Sequence, residues 1–141
     1  MGALPTYQDV LAAAGRIRPY VHRTPVFTSA TLDRMVGAAL FFKNEALQKV
    51  GAFKARGGCN AVFALSEAEA ARGVATHSSG NHAQAVAYAA ALRGIPATIV
   101  MPEDAPPVKV AAVRGYGARI VWAGARPLDR EEALTGVLEE T

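Results

Sequence analysis

Lys54 stands in the run Val50-Gly51-Ala52-Phe53-Lys54-Ala55-Arg56-Gly57, and it is one of four lysines in a chain with eleven arginines. An amine becomes a good nucleophile toward an aldehyde when desolvation or nearby positive charge lowers its pKa. Arg56 and the amino end of a helix starting near Phe53 are the two groups expected to act on Lys54 in that way. On its own, a lysine is more simply a solvated surface charge. A second run, Thr76-His77-Ser78-Ser79-Gly80-Asn81-His82-Ala83-Gln84, places two hydroxyls, a glycine and an amide between an apolar strand and a helix start. Unpaired N–H groups there favour an anion. The same residues also make an ordinary helix cap and tight turn, so this loop alone leaves both readings open. Neither a G-x-G-x-x-G nor a G-x-x-x-x-G-K-[ST] pattern occurs, which removes the dinucleotide fingerprint and the P-loop.

His77 and His82 invite a metal reading. They lie five apart across a turn, unlike the i, i+4 pair of H-E-x-x-H. Cys59 is distant in sequence and no carboxylate completes a set, so no metal site is expected. Glu131-Glu132 read as favourable charge near a helix amino end.

The elements that must position these residues follow from punctuation. Thr6 with Asp9 opens a helix over 7–18. Thr24-Pro25 breaks the pattern, a short helix near 30–36 stops at Gly37, and Leu40-Phe41-Phe42 reads as a strand. A helix runs from about Phe53 to Leu65. Ser66 and Glu69 form a second capping box, with Gly73 as the stop. Then come strand 74–77, helix 81–93 ending at Gly94, strand 97–101, helix 107–114 stopped by Gly115, strand 119–122 and a helix begun by Pro127. Strands recurring roughly every 22 residues with helices between them predict βαβ units, hence an α/β fold with a parallel sheet and flanking helices. Residues 83–92 are apolar almost all round, so that helix is expected to be covered on more than one side. In such sheets, ligands sit beyond the carboxyl ends of the strands, which is where Ser78 to His82 fall.

Composition narrows the function classes. The 141 residues are 51% hydrophobic and 19% charged, with a net charge of +3. The arginines are scattered rather than striped, which argues against a nucleic-acid surface. No apolar stretch approaches a membrane span, and the first twenty residues lack the pattern of a secretory signal. A single cysteine, Cys59, allows no internal disulfide, and a cytoplasmic setting is expected.

Taken together, these runs carry a resemblance. Gly51 to Gly57 resembles the Schiff-base lysine motif of fold-type II pyridoxal-phosphate enzymes (tryptophan synthase β-like), and Thr76 to Gln84 resembles the asparagine loop of that group. Thr24-Pro25, Gly94-Ile95-Pro96-Ala97 and Met101-Pro102 recur in the same order. The resemblance spans roughly residues 5–140 and points to the serine racemase and serine/threonine dehydratase branch. It implies pyridoxal 5'-phosphate as cofactor, held by Lys54, with Phe53 beside its ring and Asn81 on its ring hydroxyl. It implies that Ser78, Ser79, Gly80, Asn81 and His82 receive the substrate carboxylate, assisted by Gln84. Lys54 and Ser79 would be the two acid/base groups, on opposite faces of the substrate.

The implied activity is dehydration of L-serine or L-threonine to a 2-oxo acid and ammonia, with serine racemisation as the alternative. A small-molecule amino acid is the expected partner, and the complete enzyme is expected to be a homodimer. Ala52 departs mildly from the serine common at that position. The phosphate-binding glycine loop, the group facing the pyridine nitrogen and the carboxylates of the divalent-cation site belong to the second half of such enzymes. The resemblance therefore reads residues 1–49 as the first piece of a large domain and 50–141 as a small α/β domain, an amino-terminal fragment whose remaining large domain is absent. A non-catalytic remnant, or half of a split enzyme, is the rival from a different class.

Overall fold

A computed structural model describes residues 4–140. Helix α1 (Tyr7–Ile17) opens with the expected capping box of Thr6 and Asp9. Strand β1 (Val26–Phe27), helix α2 (Ala30–Val36) and strand β2 (Phe42–Lys43) follow. The strand expected over Leu40-Phe41-Phe42 is displaced: only Phe42 and Lys43 find partners, antiparallel to Phe27 and Val26. A strand extends only as far as its ladder, and β1 is two residues long. The faces of this hairpin-like pair stay open, with Val26, Phe27, Phe41 and Phe42 all exposed.

Short 3-10 turns at Glu45–Leu47 and Lys49–Gly51 lead to helix α3 (Lys54–Ala64), and α4 (Glu67–Ala71) starts at the Ser66/Glu69 capping box. The regular part then runs β3 (Val74–His77), α5 (Asn81–Arg93), β4 (Ala97–Pro102), α6 (Pro107–Gly115), β5 (Arg119–Ala123) and α7 (Pro127–Glu139). Helix α6 stops at Gly115, its last residue, within one residue of the expected end. The left-handed glycine is Gly117, at φ 79°, because the reversal falls two residues past the helix, where a Cβ would be strained.

Strands β3, β4 and β5 form one parallel sheet in that order, with Thr76 opposite Ile99 and Ile99 opposite Ile120. Ile99 and Met101 join Ala83, Val86, Ala87 and Ala90 of α5 and Val113 of α6 in the main core. Side chains alternate along a strand. Val100, also fully buried, therefore points to the opposite face, where α7 crosses β3, β4 and β5. A smaller core joins Ile17 of α1 to Cys59 and Val62 of α3 and Ala89 of α5. Helix α5 is thus covered by sheet, α6 and α3, as its all-round apolar sequence requires.

Candidate active site

Two segments carry the site, and the packing of α3 on α5 joins them. Val50 (φ 54°) and Gly51 (φ 65°) are two successive left-handed residues that turn the chain into α3. A β-branched residue in that region is costly and persists where the surroundings enforce it. Lys54 is the first residue of α3, behind Phe53, which makes no side-chain cap bond. One turn on, Gly58 is buried against α5. A Cβ at Gly58 would lie 2.8 Å from the Ala85 carbonyl oxygen, so only glycine lets the helices approach this closely.

The second segment leaves the carboxyl end of β3. The Ser78 N–H extends the ladder to the Val100 carbonyl at 3.0 Å, and the Gly80 N–H donates to the Ser78 hydroxyl at 3.2 Å. Gly80 is the cap of α5 and offers no side chain there, so the hydroxyls are not the helix cap. The Ser79 hydroxyl has no hydrogen-bond partner among the described residues. Asn81, His82 and Ala83 begin the helix, where their N–H groups lack intrahelical acceptors.

Helix α3 packs closely on α5 where Gly58 meets Ala85. Burial first, then the Lys54 ammonium, then nearby His77, hold His82 below its ordinary pKa. Lys54 thus acts electrostatically on His82 of the Ser78–His82 loop, although the two runs are more than twenty residues apart in sequence. Its side chain is exposed, with Nζ 5.3 Å from the centroid of the Phe53 ring, itself 60% exposed.

Arg56 is held in an ion pair. Its guanidinium donates to both carboxylate oxygens of Glu45, at 2.8 and 2.7 Å, and to the Thr24 hydroxyl at 3.3 Å. The Glu45 carboxyl is correspondingly held down to about 2, chiefly by the hydrogen bonds from Arg56.

Gln84 is buried, and its amide lies 3.5 Å from the Asn81 side-chain oxygen. The same oxygen accepts from Lys109 Nζ at 2.5 Å. Lys109 had no signal in the sequence beyond the scarcity of lysines, because only the packing of α6 beside α5 brings it to the loop. Cys59 lies in the smaller core, away from the histidines, and burial pushes its thiol up to about 11. A thiol so held is a poor metal ligand, since the thiolate is the ligating form. Among the described residues, no group of three or more His, Cys, Asp or Glu side chains gathers as a metal site. No helix among them is long and apolar enough to cross a membrane.

Two cavities are lined by neither Lys54 nor the Ser78–His82 loop. One of about 470 Å³ sits against the open edge of β3, and one of about 670 Å³ is lined by Ile17, Arg18, His22, Arg23, Lys43 and Arg56. The Lys54 site is instead an open face.

Residues 17–141, which include every residue of this site, match the family described as pyridoxal-phosphate dependent enzyme. The chain belongs to that family. It is 54% identical over 138 residues to a beta-hydroxyaspartate dehydratase of Paracoccus denitrificans, covering 98% of this chain and 44% of the relative. A serine racemase of Oryza sativa subsp. indica is 56% identical, covering 94% of this chain and 39% of the relative. The structure of maize serine racemase superposes with a TM-score of 0.89 at 55% identity, over 94% of this chain and 40% of that one. The chain thus spans less than half the length of these relatives. Their fold is that of the fold-type II pyridoxal-phosphate enzymes, and the parallel sheet with flanking helices is the portion this chain supplies.

The residues present suit the cofactor of the family on its aldehyde side. Lys54 offers an accessible amine, and the Asn81 amide NH₂ has no partner among the described residues. Beyond its chain neighbours Ser79 and Asn81, no atom among the described residues lies within 4 Å of the place a Cβ would occupy at Gly80.

Proposed function

We propose that this chain supplies the lysine and the asparagine loop of a pyridoxal-phosphate-dependent lyase that dehydrates L-serine or L-threonine to a 2-oxo acid and ammonia. The reading is supported by the family match over residues 17–141, together with the electrostatic effect of Lys54 on His82 at the start of α5. In this proposal Lys54 holds the cofactor aldehyde, Phe53 lies along its ring and Asn81 donates to the ring hydroxyl. The bound cofactor supplies an electron sink for the charge left when the α-proton departs. Displaced from the cofactor by the substrate's amine, Lys54 Nζ would take that proton and pass it to the departing hydroxyl, which would leave as water. The released enamine, as its imine, would then take up water to give the 2-oxo acid and ammonia. The N–H groups at the start of α5, with Ser78, Ser79, Gly80, Asn81 and His82, bind the substrate carboxylate, and Gln84 supports Asn81.

Serine racemisation is the second reading. It is favoured by the Ser79 hydroxyl, which has no internal partner and is therefore free to carry a proton to the opposite face of Cα. The two relatives reported above, a hydroxyaspartate dehydratase and a serine racemase, share one requirement with both readings: loss of an α-proton from a 3-hydroxy amino acid. The reading carries with it a cytoplasmic, homodimeric complete enzyme. The 141-residue chain alone is expected to hold the cofactor only weakly, because Lys54 stands on an open face.

The test joins residues 1–141 to the carboxyl-terminal remainder of the rice serine racemase and supplies pyridoxal phosphate. The chimera should form 2-oxo acid from L-serine or L-threonine, and Ser79→Ala should lower serine racemisation about 100-fold, the scale of one positioned acid/base group, with elimination from the L-substrate retained. Turnover of threo-3-hydroxyaspartate with none of serine or threonine would replace the proposed substrate. Equal racemisation by parent and Ser79→Ala would remove Ser79 from the mechanism.

A further inference from the structure

We propose that Lys109 is a positioning residue: its ammonium grips the Asn81 amide by the oxygen and so turns the amide NH₂ toward the site. The inference rests on the cofactor reading above for its purpose, though not for its geometry. The Asn81 oxygen has two lone pairs, and two donors occupy them, Lys109 Nζ at 2.5 Å and Gln84 Nε2 at 3.5 Å. Lysine has no acceptor atom, so a flipped Asn81 would set its own NH₂ against an ammonium. The orientation is thereby decided by chemistry, and the remaining NH₂ can serve only an acceptor entering from the open side.

Structural need does not account for Lys109. Helices α5 and α6 are already joined by Ala87, Ala90 and Val113 in the main core and by the edge-on pair Tyr88–Tyr116, whose centroids are 5.6 Å apart. Lys109 is half-buried, and among the described residues it pairs with no carboxylate. A half-buried ammonium held by one neutral amide is costly compared with an apolar side chain at the same place. What the charge adds is polarisation of the amide, which strengthens the NH₂ as a donor. An electron-rich oxygen, such as the ring hydroxyl of a pyridoxal cofactor in its ionised form, is the acceptor such a donor suits.

The test uses the 141-residue chain labelled with ¹⁵N. In Lys109→Met the Asn81 side-chain NH₂ resonances should shift, and in Lys109→Arg they should return toward the parent positions, with the backbone amides of β3, β4 and β5 unmoved. The reciprocal Asn81→Ala should shift the Lys109 Nζ resonance, which keeps the test decisive if Lys109→Met fails to fold. Pyridoxal phosphate added to millimolar concentration should move the Asn81 NH₂ signals of the parent, with the response weakened about tenfold in Lys109→Met, the scale of one charge-assisted hydrogen bond. Asn81 signals that coincide in parent and Lys109→Met, or a Lys109 Nζ resonance indifferent to Asn81→Ala, would overturn the proposal. If the variants shift as expected but pyridoxal phosphate moves no Asn81 signal, the positioning role stands and the cofactor role of Asn81 fails.

Discussion

Glu45 and Arg56 form a two-pronged ion pair, Nε to Oε2 at 2.8 Å and Nη2 to Oε1 at 2.7 Å, that ties the amino-terminal third of the chain to the helix bearing Lys54. Thr24, almost wholly buried, completes the joint by donating its hydroxyl to Glu45 at 2.6 Å. Planar, bidentate pairing of this kind fixes direction as well as distance. The first turn of α3 is therefore held by two segments that precede it, around Thr24 and Glu45.

Glu45→Gln should destabilise the chain by about 1–2 kcal/mol, less than a fully buried pair would lose because both side chains still touch water. The parent should show the same dependence through pH. The Glu45 carboxyl titrates at about 2 when folded against 4.5 ordinarily, so the unfolded chain takes up its proton first as pH falls. The stabilisation is complete above about 4.5 and is lost progressively toward 2. Urea titrations at pH 7 and pH 3 should find the difference between parent and Glu45→Gln reduced at the second to under half its value at the first.

Gly58→Ala tests the helix contact that sets Lys54 beside α5. The added Cβ would meet the Ala85 carbonyl at 2.8 Å, and backbone cannot swing aside as a flexible side chain would. A loss of about 1–3 kcal/mol is expected, the scale of core overpacking, although alanine is the better helix former. Equal or greater stability on thermal unfolding would show that α3 and α5 are not so close.

The local grammar of this chain was readable, and its long-range pairings were not. The Thr6–Asp9 and Ser66–Glu69 boxes, Gly94, Pro127 and the βαβ rhythm are each written within a few residues, and the structure places them as the spacing implies. The pairing of Arg56 with Glu45 is not legible in sequence, because Glu45 lies eleven residues upstream in a 3-10 turn that has no periodic signature. The strand at Leu40–Phe42 was drawn from apolar character, whereas its extent is set by a two-residue partner. Lys109 could not be found at all, since only the packing of α6 against α5 brings it to Asn81. The two motifs of the site were legible as residue patterns, but their meeting depends on Gly58, which reads in sequence only as a weak helix former.

His82 reports the meeting of those motifs. Burial is the larger cause of its lowered pKa, with Lys54 next and His77 last. Lys54→Gln should therefore raise the His82 pKa while leaving it below the ordinary 6.5, read from the imidazole proton shifts during an NMR pH titration. Because the folded value is depressed, the unfolded chain binds this proton first. The contribution of His82 to stability is complete above about pH 6.5 and shrinks as pH falls through and below that value, more steeply in the parent than in Lys54→Gln. An unmoved His82 pKa would place Lys54 away from the loop.

Lys54 as the residue that takes the cofactor is the central claim, and borohydride reduction addresses it directly. The chimera of residues 1–141 with the rice serine racemase remainder should be saturated with pyridoxal phosphate, reduced and digested, and the modified peptides identified by mass. The label should fall on the peptide containing Lys54, and Lys54→Ala should lose both the label and the visible absorption band of the cofactor–protein imine. Label on Lys43, Lys49 or Lys109 with Lys54 unmodified, or a visible band that survives Lys54→Ala, would contradict the account.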